Sequence, residues 1–213
     1  MPYLLALLLS ITTLTGCQSA YYSAMEQVGI HKRDIMVDRV EEANEAQQDA
    51  QTQFTSALDA LKALNHFDGG ELEAVYNNIN DQYEASSEAA EKVSSRIAAI
   101  EDVANALFDE WQDELSLYSS ASLRRDSERK LKSTEASYKR MLAAMHRAEQ
   151  KMTPVLNTLR DNTLYLKHNL NAAAIGSLQG DFNSLQRDIQ RAITDMEAAI
   201  AESERFISHL KRG

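Results

Sequence analysis

The one cysteine of this chain, Cys17, follows Leu14-Thr15-Gly16 at the end of an apolar stretch running from Leu4 to Leu14. A thiol in that setting has a specific chemistry open to it. Small residues before it admit a signal peptidase, and its sulfur takes a diacylglycerol through a thioether. The spacing looks like a lipobox, with Leu14, Thr15 and Gly16 as the cleavage motif, Cys17 as the lipidation site and residues 1–16 as the signal peptide. The apolar stretch is too short to span a bilayer as a stable helix. Met1-Pro2-Tyr3 lacks the Lys or Arg that usually precedes such a stretch. After cleavage the chain would begin at Cys17 with several acyl chains, each buried methylene contributing roughly 0.8 kcal/mol to anchoring.

Other reactive groups are scattered rather than assembled. The sequence holds no Gly-rich phosphate loop and no G-x-S-x-G elbow. Di-metal sites in helical bundles use Glu-x-x-His, and none of the five histidines (31, 66, 146, 168, 209) has Glu three residues before it. A single cysteine excludes a disulfide framework and a thiolate cluster. The acidic run Asp109-Glu110-Trp111-Gln112-Asp113-Glu114 lacks the glycine and ligand alternation of a calcium loop. It reads as a solvated helix face with Trp111 turned inward. No catalytic residues, metal or cofactor are expected.

Composition points to long helices. The 213 residues are 44 % hydrophobic and 25 % charged, with only seven Gly and two Pro, a scarcity that disfavours a turn-rich β fold. A formal net charge of −10 argues against nucleic acid as a partner. Apolar residues recur at alternating three- and four-residue steps. One run goes from Leu72 to Tyr118, a second from Leu131 to Leu166, and a third is Ile175, Leu178, Phe182, Leu185, Ile189, Ile193, Met196, Ile200, Ser203, Ile207 and Leu210. A weaker Ala- and Gln-containing run spans Val37 to Leu64. Gly69-Gly70 marks one turn and the Asn169–Gly176 region another. A third turn is expected near residues 118–123, where four serines lie between Ser116 and Ser122 and the apolar stripe fails at Arg125 and Arg129. Thr153-Pro154 predicts a kink inside the third helix. The expected fold is all-α: one domain, residues 17–213, forming an elongated antiparallel four-helix bundle with helices of about 40–50 residues.

Those elements sort the remaining candidates to two ends. With Cys17 as anchor, the first helix is expected to climb away from the membrane. Lys32, Arg33, Arg124, Arg125, Arg129, Lys130 and Lys132, with Lys211 and Arg212, then form a membrane-side basic collar holding nine of the 22 Lys and Arg residues. Such residues near anionic head groups contribute about 1 kcal/mol each. His66, Phe67, Asp68, His168 and Leu170 mark the distal tip as a candidate interface, with Phe67 and Leu170 apolar in turns that are ordinarily polar.

The stretches HKRDIMVDRVEEANEAQ (within Tyr21 to Phe54), NHFDGGELEAVYNNINDQYE, IEDVANALFDEWQDEL, SLRRDSERKL and LYLKHNLNAAAIGSLQG together resemble a family of bacterial lipoproteins catalogued only as a domain of unknown function. The resemblance covers essentially the whole mature chain. It implies coiled-coil helices and an envelope location, and no activity. By resemblance to sorted lipoproteins, Gln18 after the cysteine, in place of Asp, implies the outer membrane, facing the periplasm. The leading expectation is a non-catalytic, lipid-anchored strut or adaptor with a protein partner or self-association. The alternatives are a ligand- or metal-binding bundle and a membrane-surface remodelling protein.

Overall fold

The computed structural model describes residues 16–64, 72–169 and 172–212, and these are almost wholly helical. A short helix α1 (Gly16–Gln27) is followed by α2 (Lys32–Leu64), α3 (Leu72–Glu114), a 3-10 turn (Leu115–Leu117), α4 (Ala121–His168) and α5 (Ala172–Arg212). Helices α2 to α5 form an antiparallel four-helix bundle in which each packs on its chain neighbour and α2 closes the ring against α5.

The alternating three- and four-residue spacing produces this arrangement, because it keeps one narrow seam of each helix facing the bundle axis. On α3 the seam runs through Ile79, Ser86, Ala90, Val93, Ile97, Ile100, Ala104 and Leu107, and on α4 from Leu131 through Tyr138, Met145 and Met152 to Leu166. On α5 the expected Leu178, Leu185, Ile189, Met196, Ser203 and Leu210 are buried, and the structure corrects three other positions of the seam. Ala192, Ala199 and Phe206 are fully buried, while Ile193, Ile200 and Ile207 stand half-buried one position over. Close helix approach selects Ala192 and Ala199 over the larger Ile193 and Ile200, whereas Phe206 takes the axis beside the Tyr138 ring and leaves Ile207 at its edge.

The turns have local causes. Ser120 has extended backbone angles and its hydroxyl accepts from the Leu123 N–H at 3.4 Å, capping α4. The break therefore falls at residues 115–120, three residues earlier than the expected 118–123 and overlapping its first half. Pro154 does not end α4, which continues to His168 with Met152, Val155 and Leu159 all buried and in phase. Thr153, Pro154 and Gln150 are exposed, so the carbonyl that loses its partner lies on the solvated side.

A break that the spacing did not announce separates α1 from α2. Gly29 takes φ +83°, Ile30 N–H donates to Met25 O at 3.0 Å and Gly29 N–H to Glu26 O at 3.0 Å. This is a Schellman stop, which needs the left-handed residue that glycine adopts without strain. Two residues later, Asp34 reaches back to accept from the His31 N–H at 3.4 Å, starting α2.

Candidate functional site

The α1–α2 turn, the 115–120 turn and the last residues of α5 meet at one end of the bundle, the proximal end. There α1 doubles back along α2 and α3. Tyr22 is buried and its hydroxyl donates to Asp102 Oδ2 at 2.5 Å, far along α3 from the tip. Burial and the adjacent Asp102 carboxylate push the Tyr22 phenol above its ordinary range. Lys32 binds Glu26 and also Glu110 Oε1 at 2.9 Å. Burial alone would lower the Lys32 ammonium, but the two carboxylates outweigh it and raise its pKa. Arg33 donates to the Leu210 carbonyl in the last turn of α5, where a cation also meets the negative end of the helix dipole. The corner is thus latched to α3 by Tyr22 and Lys32 and to α5 by Arg33.

Below the latch lies a cavity of about 220 Å³ lined by Arg33, Leu107, Glu110, Trp111, Glu114, Thr134 and Leu210. Trp111 is half-buried, and its indole N–H donates to Ser127 Oγ at 2.8 Å, joining α3 to α4. One guanidinium, two carboxylates and an indole around apolar walls can hold a small polar group by hydrogen bonds. They supply no paired nucleophile and base. Among the described residues no cluster of three His, Cys, Asp or Glu side chains is arranged to hold a metal ion.

The sequence candidates fall unevenly on this frame. Gly16 and Cys17 open α1, while Leu14 and Thr15 lie outside the described residues. Cys17 belongs to a separate short helix, α1, and Gly29 turns the chain before α2, the helix that runs away from the proximal end. Cys17 sits eleven residues back from Val28, about 16 Å along the helix at 1.5 Å per residue, on the flank rather than at the tip. Lys32 and Arg33 are engaged in the latch. Arg124, Arg125, Arg129, Lys130 and Lys132 all stand exposed on the first turns of α4. Three of them also form local pairs: Arg129 with Asp126 at 2.7 Å, Lys130 with Asp126 at 3.7 Å and Lys132 with Glu128 at 2.8 Å. At the far end His168 is exposed in the last turn of α4, and His66, Phe67, Asp68 and Leu170 lie outside the described residues.

The family described as "Protein of unknown function (DUF2959)" matches residues 21–210. The chain belongs to that family. No curated protein and no solved structure matches it. Membership reaches from Tyr21 to Leu210, so it takes in α1 from the residue before the Tyr22 latch as well as the whole bundle.

Several residues of this DUF2959 chain's proximal end were not singled out by spacing. Tyr22 and Asp102 are eighty positions apart, and nothing local pairs them. Gly29 had a readable signal, a glycine followed at short range by an Asp three residues after His31. Leu117 belongs to the serine-rich turn and Leu123 to the first turn of α4, and their exposure follows only from where the helices end.

Proposed function

We propose that the protein is a lipid-anchored envelope strut or adaptor, held to the outer membrane through Cys17 and presenting its distal end to a partner in the periplasm. The observation that carries this reading is the rod itself. Four antiparallel helices of 33, 43, 48 and 41 residues share one continuous core. The longest extends about 72 Å at 1.5 Å per residue, which separates two ends well enough to span a gap. The Leu14-Thr15-Gly16-Cys17 motif, whose last two residues open α1, supports the anchor.

Two measurements test it. Metabolic labelling with a palmitate analogue is expected to mark the wild type and not Cys17→Ala, and the variant is expected to leave the membrane fraction. Photo-crosslinking residues at Phe67 and, separately, Leu170 are expected to capture the same envelope protein in living cells. Self-crosslinks alone would make it an oligomeric strut, and no specific product from either position would remove the distal interface. The 220 Å³ proximal cavity favours a second reading, a bundle that holds a small ligand. Native mass spectrometry of the purified chain would show a bound mass lost on Trp111→Ala if that reading holds.

A further inference from the structure

The proximal end exposes large apolar side chains on both of its turns. Leu117 is 80 % exposed and Leu123 59 %, with Tyr118 between them at 40 %, and Val28 on the neighbouring turn is 71 % exposed. A helix-to-helix turn in water is ordinarily polar, and these residues add nothing to the core. Beside them the first turns of α4, residues 121–132, carry five cations (Arg124, Arg125, Arg129, Lys130, Lys132) against two carboxylates (Asp126, Glu128). Arg212 of α5 lines the same groove as Arg129 and Lys130.

We infer that this end docks obliquely onto an anionic lipid bilayer, with Leu117, Tyr118 and Leu123 entering the head-group region and the α4 cations lying on its surface. This goes beyond the strut reading and does not depend on acylation of Cys17. Exposed apolar side chains flanked on the α4 side by cations match an interface whose outer layer is anionic phosphate and whose inner boundary is apolar. Tyrosine suits the boundary between the two. A second copy fits less well, since a twofold contact through this edge would set like charges against each other. The approach is oblique because Asp109, Asp113 and Glu114 stand exposed at the end of α3 and repel the same surface. The α4 edge therefore leads and the α3 edge is held away.

The test is flotation of the unacylated chain, residues 18–213, which retains every described core residue. The probes are phosphatidylcholine vesicles with and without phosphatidylglycerol. Using the unacylated chain separates failure of this inference from failure of the lipid-anchor reading. The chain is expected to float with the anionic vesicles and to be released by salt. Leu117→Asn with Leu123→Asn is expected to weaken flotation about tenfold while leaving the melting curve unchanged, because both side chains are already in water. Arg124→Gln with Arg125→Gln should weaken it and flatten the salt dependence, whereas Asp113→Asn with Glu114→Gln should strengthen it. Equal flotation with neutral and anionic vesicles would overturn the inference, as would an unaffected Leu117→Asn/Leu123→Asn variant. A concentration-dependent dimer abolished by that variant would assign the surface to a second copy instead, and would overturn it too.

Discussion

Around its middle, α2 gives the bundle axis Ala43, Ala46, Gln47 and Ala50, whereas the proximal third fills the same axis with Leu107, Tyr138, Met141 and Phe206. In the second region Tyr138 holds two rings together. Phe108 meets it edge-on at 5.4 Å and Phe206 lies 6.2 Å away, so α3, α4 and α5 share one aromatic contact. Burial pushes the Tyr138 phenol up to about 12. In the first region Gln47 is fully buried and only its amide nitrogen finds a partner, the Ala43 carbonyl at 3.4 Å. Asn44 Oδ1, Gln47 Oε1, Gln51 Nε2 and Ser86 Oγ are buried without a hydrogen-bond partner. Each such group carries a desolvation cost of about 1–3 kcal/mol. Equal spacing along the helices thus conceals unequal stability: the proximal third is tied by large side chains, while the middle of α2 gives close approach and little apolar area.

The largest effect should come from removing the aromatic tie. Phe206→Ala is expected to lower stability by about 3–5 kcal/mol in urea unfolding with an unchanged slope. A loss below about 1 kcal/mol would mean that the proximal third is no better consolidated than the middle of α2, and the comparison would break. The opposite sign is expected at Gln47. Gln47→Met fits an unbranched chain of similar length and removes an unpaired buried oxygen, so stability should rise by about 1 kcal/mol. Destabilisation there would show that the buried amide is satisfied by ordered water.

The seams of α2, α3 and α4 were legible because a three-four repeat says directly which face turns inward. On α5 the repeat held at Leu178, Leu185, Ile189, Met196, Ser203 and Leu210 and fell one position out at Ile193, Ile200 and Ile207. Hydropathy ranks Ile193 and Ile200 above Ala192 and Ala199, but the narrow axis there selects for volume, while Phe206 displaces Ile207 because it meets the Tyr138 ring, and only the folded partners reveal either. The proximal latch was illegible for a different reason. Lys32 and Arg33 advertise charge, which suggested lipid, yet the partners Glu110 and Leu210 lie far away in the chain and meet them only after the helices pair. Turn chemistry at Ser120 was local and therefore readable. That at Gly29 was equally local, and was masked by its apolar neighbours Val28 and Ile30. Of the distal candidates, only His168 falls within the described residues.

A smaller and more local effect should follow at Tyr22. It is the one buried side chain described on α1, and its hydroxyl ties that helix directly to α3. Tyr22→Phe keeps the ring and removes the bond to Asp102, at a cost of about 1 kcal/mol. The loss should appear as faster hydrogen exchange and easier proteolysis in residues 16–27, with the bundle's own unfolding midpoint unchanged. A global loss of stability instead would make α1 part of the cooperative bundle, extending the consolidated region to include it.

The smallest effect lies between the two regions, where His146 of α4 bridges to α3. Its Nδ1 is 3.0 Å from Glu149 Oε2 and its Nε2 is 3.2 Å from Glu101 Oε1. The Glu149 bond, helped by Glu101 and opposed by burial, raises the imidazole above its ordinary value. Burial tends to raise Glu149 in turn, but hydrogen bonds from Ser94 and His146 hold it below its ordinary value. The two shifts act at opposite sides of neutrality. A raised histidine contributes stability that is full below its unfolded value near 6.5 and is lost as pH climbs through the folded one. A depressed carboxylate contributes stability that is present above its unfolded value near 4.5 and is lost as pH falls through the folded one. The bridge is therefore strongest in the mildly acidic window between them. Because His146 and Glu101 are 39 % and 41 % exposed, solvent screens the pair and the change is expected to stay at a few tenths of a kcal/mol. From about pH 6 to about pH 8 the wild type should lose that much more stability than His146→Gln, measured by urea midpoints at each pH. Parallel curves for the two proteins would leave the α3–α4 contact to apolar packing alone, and would place the middle of α4 with the proximal third rather than with the polar middle of α2.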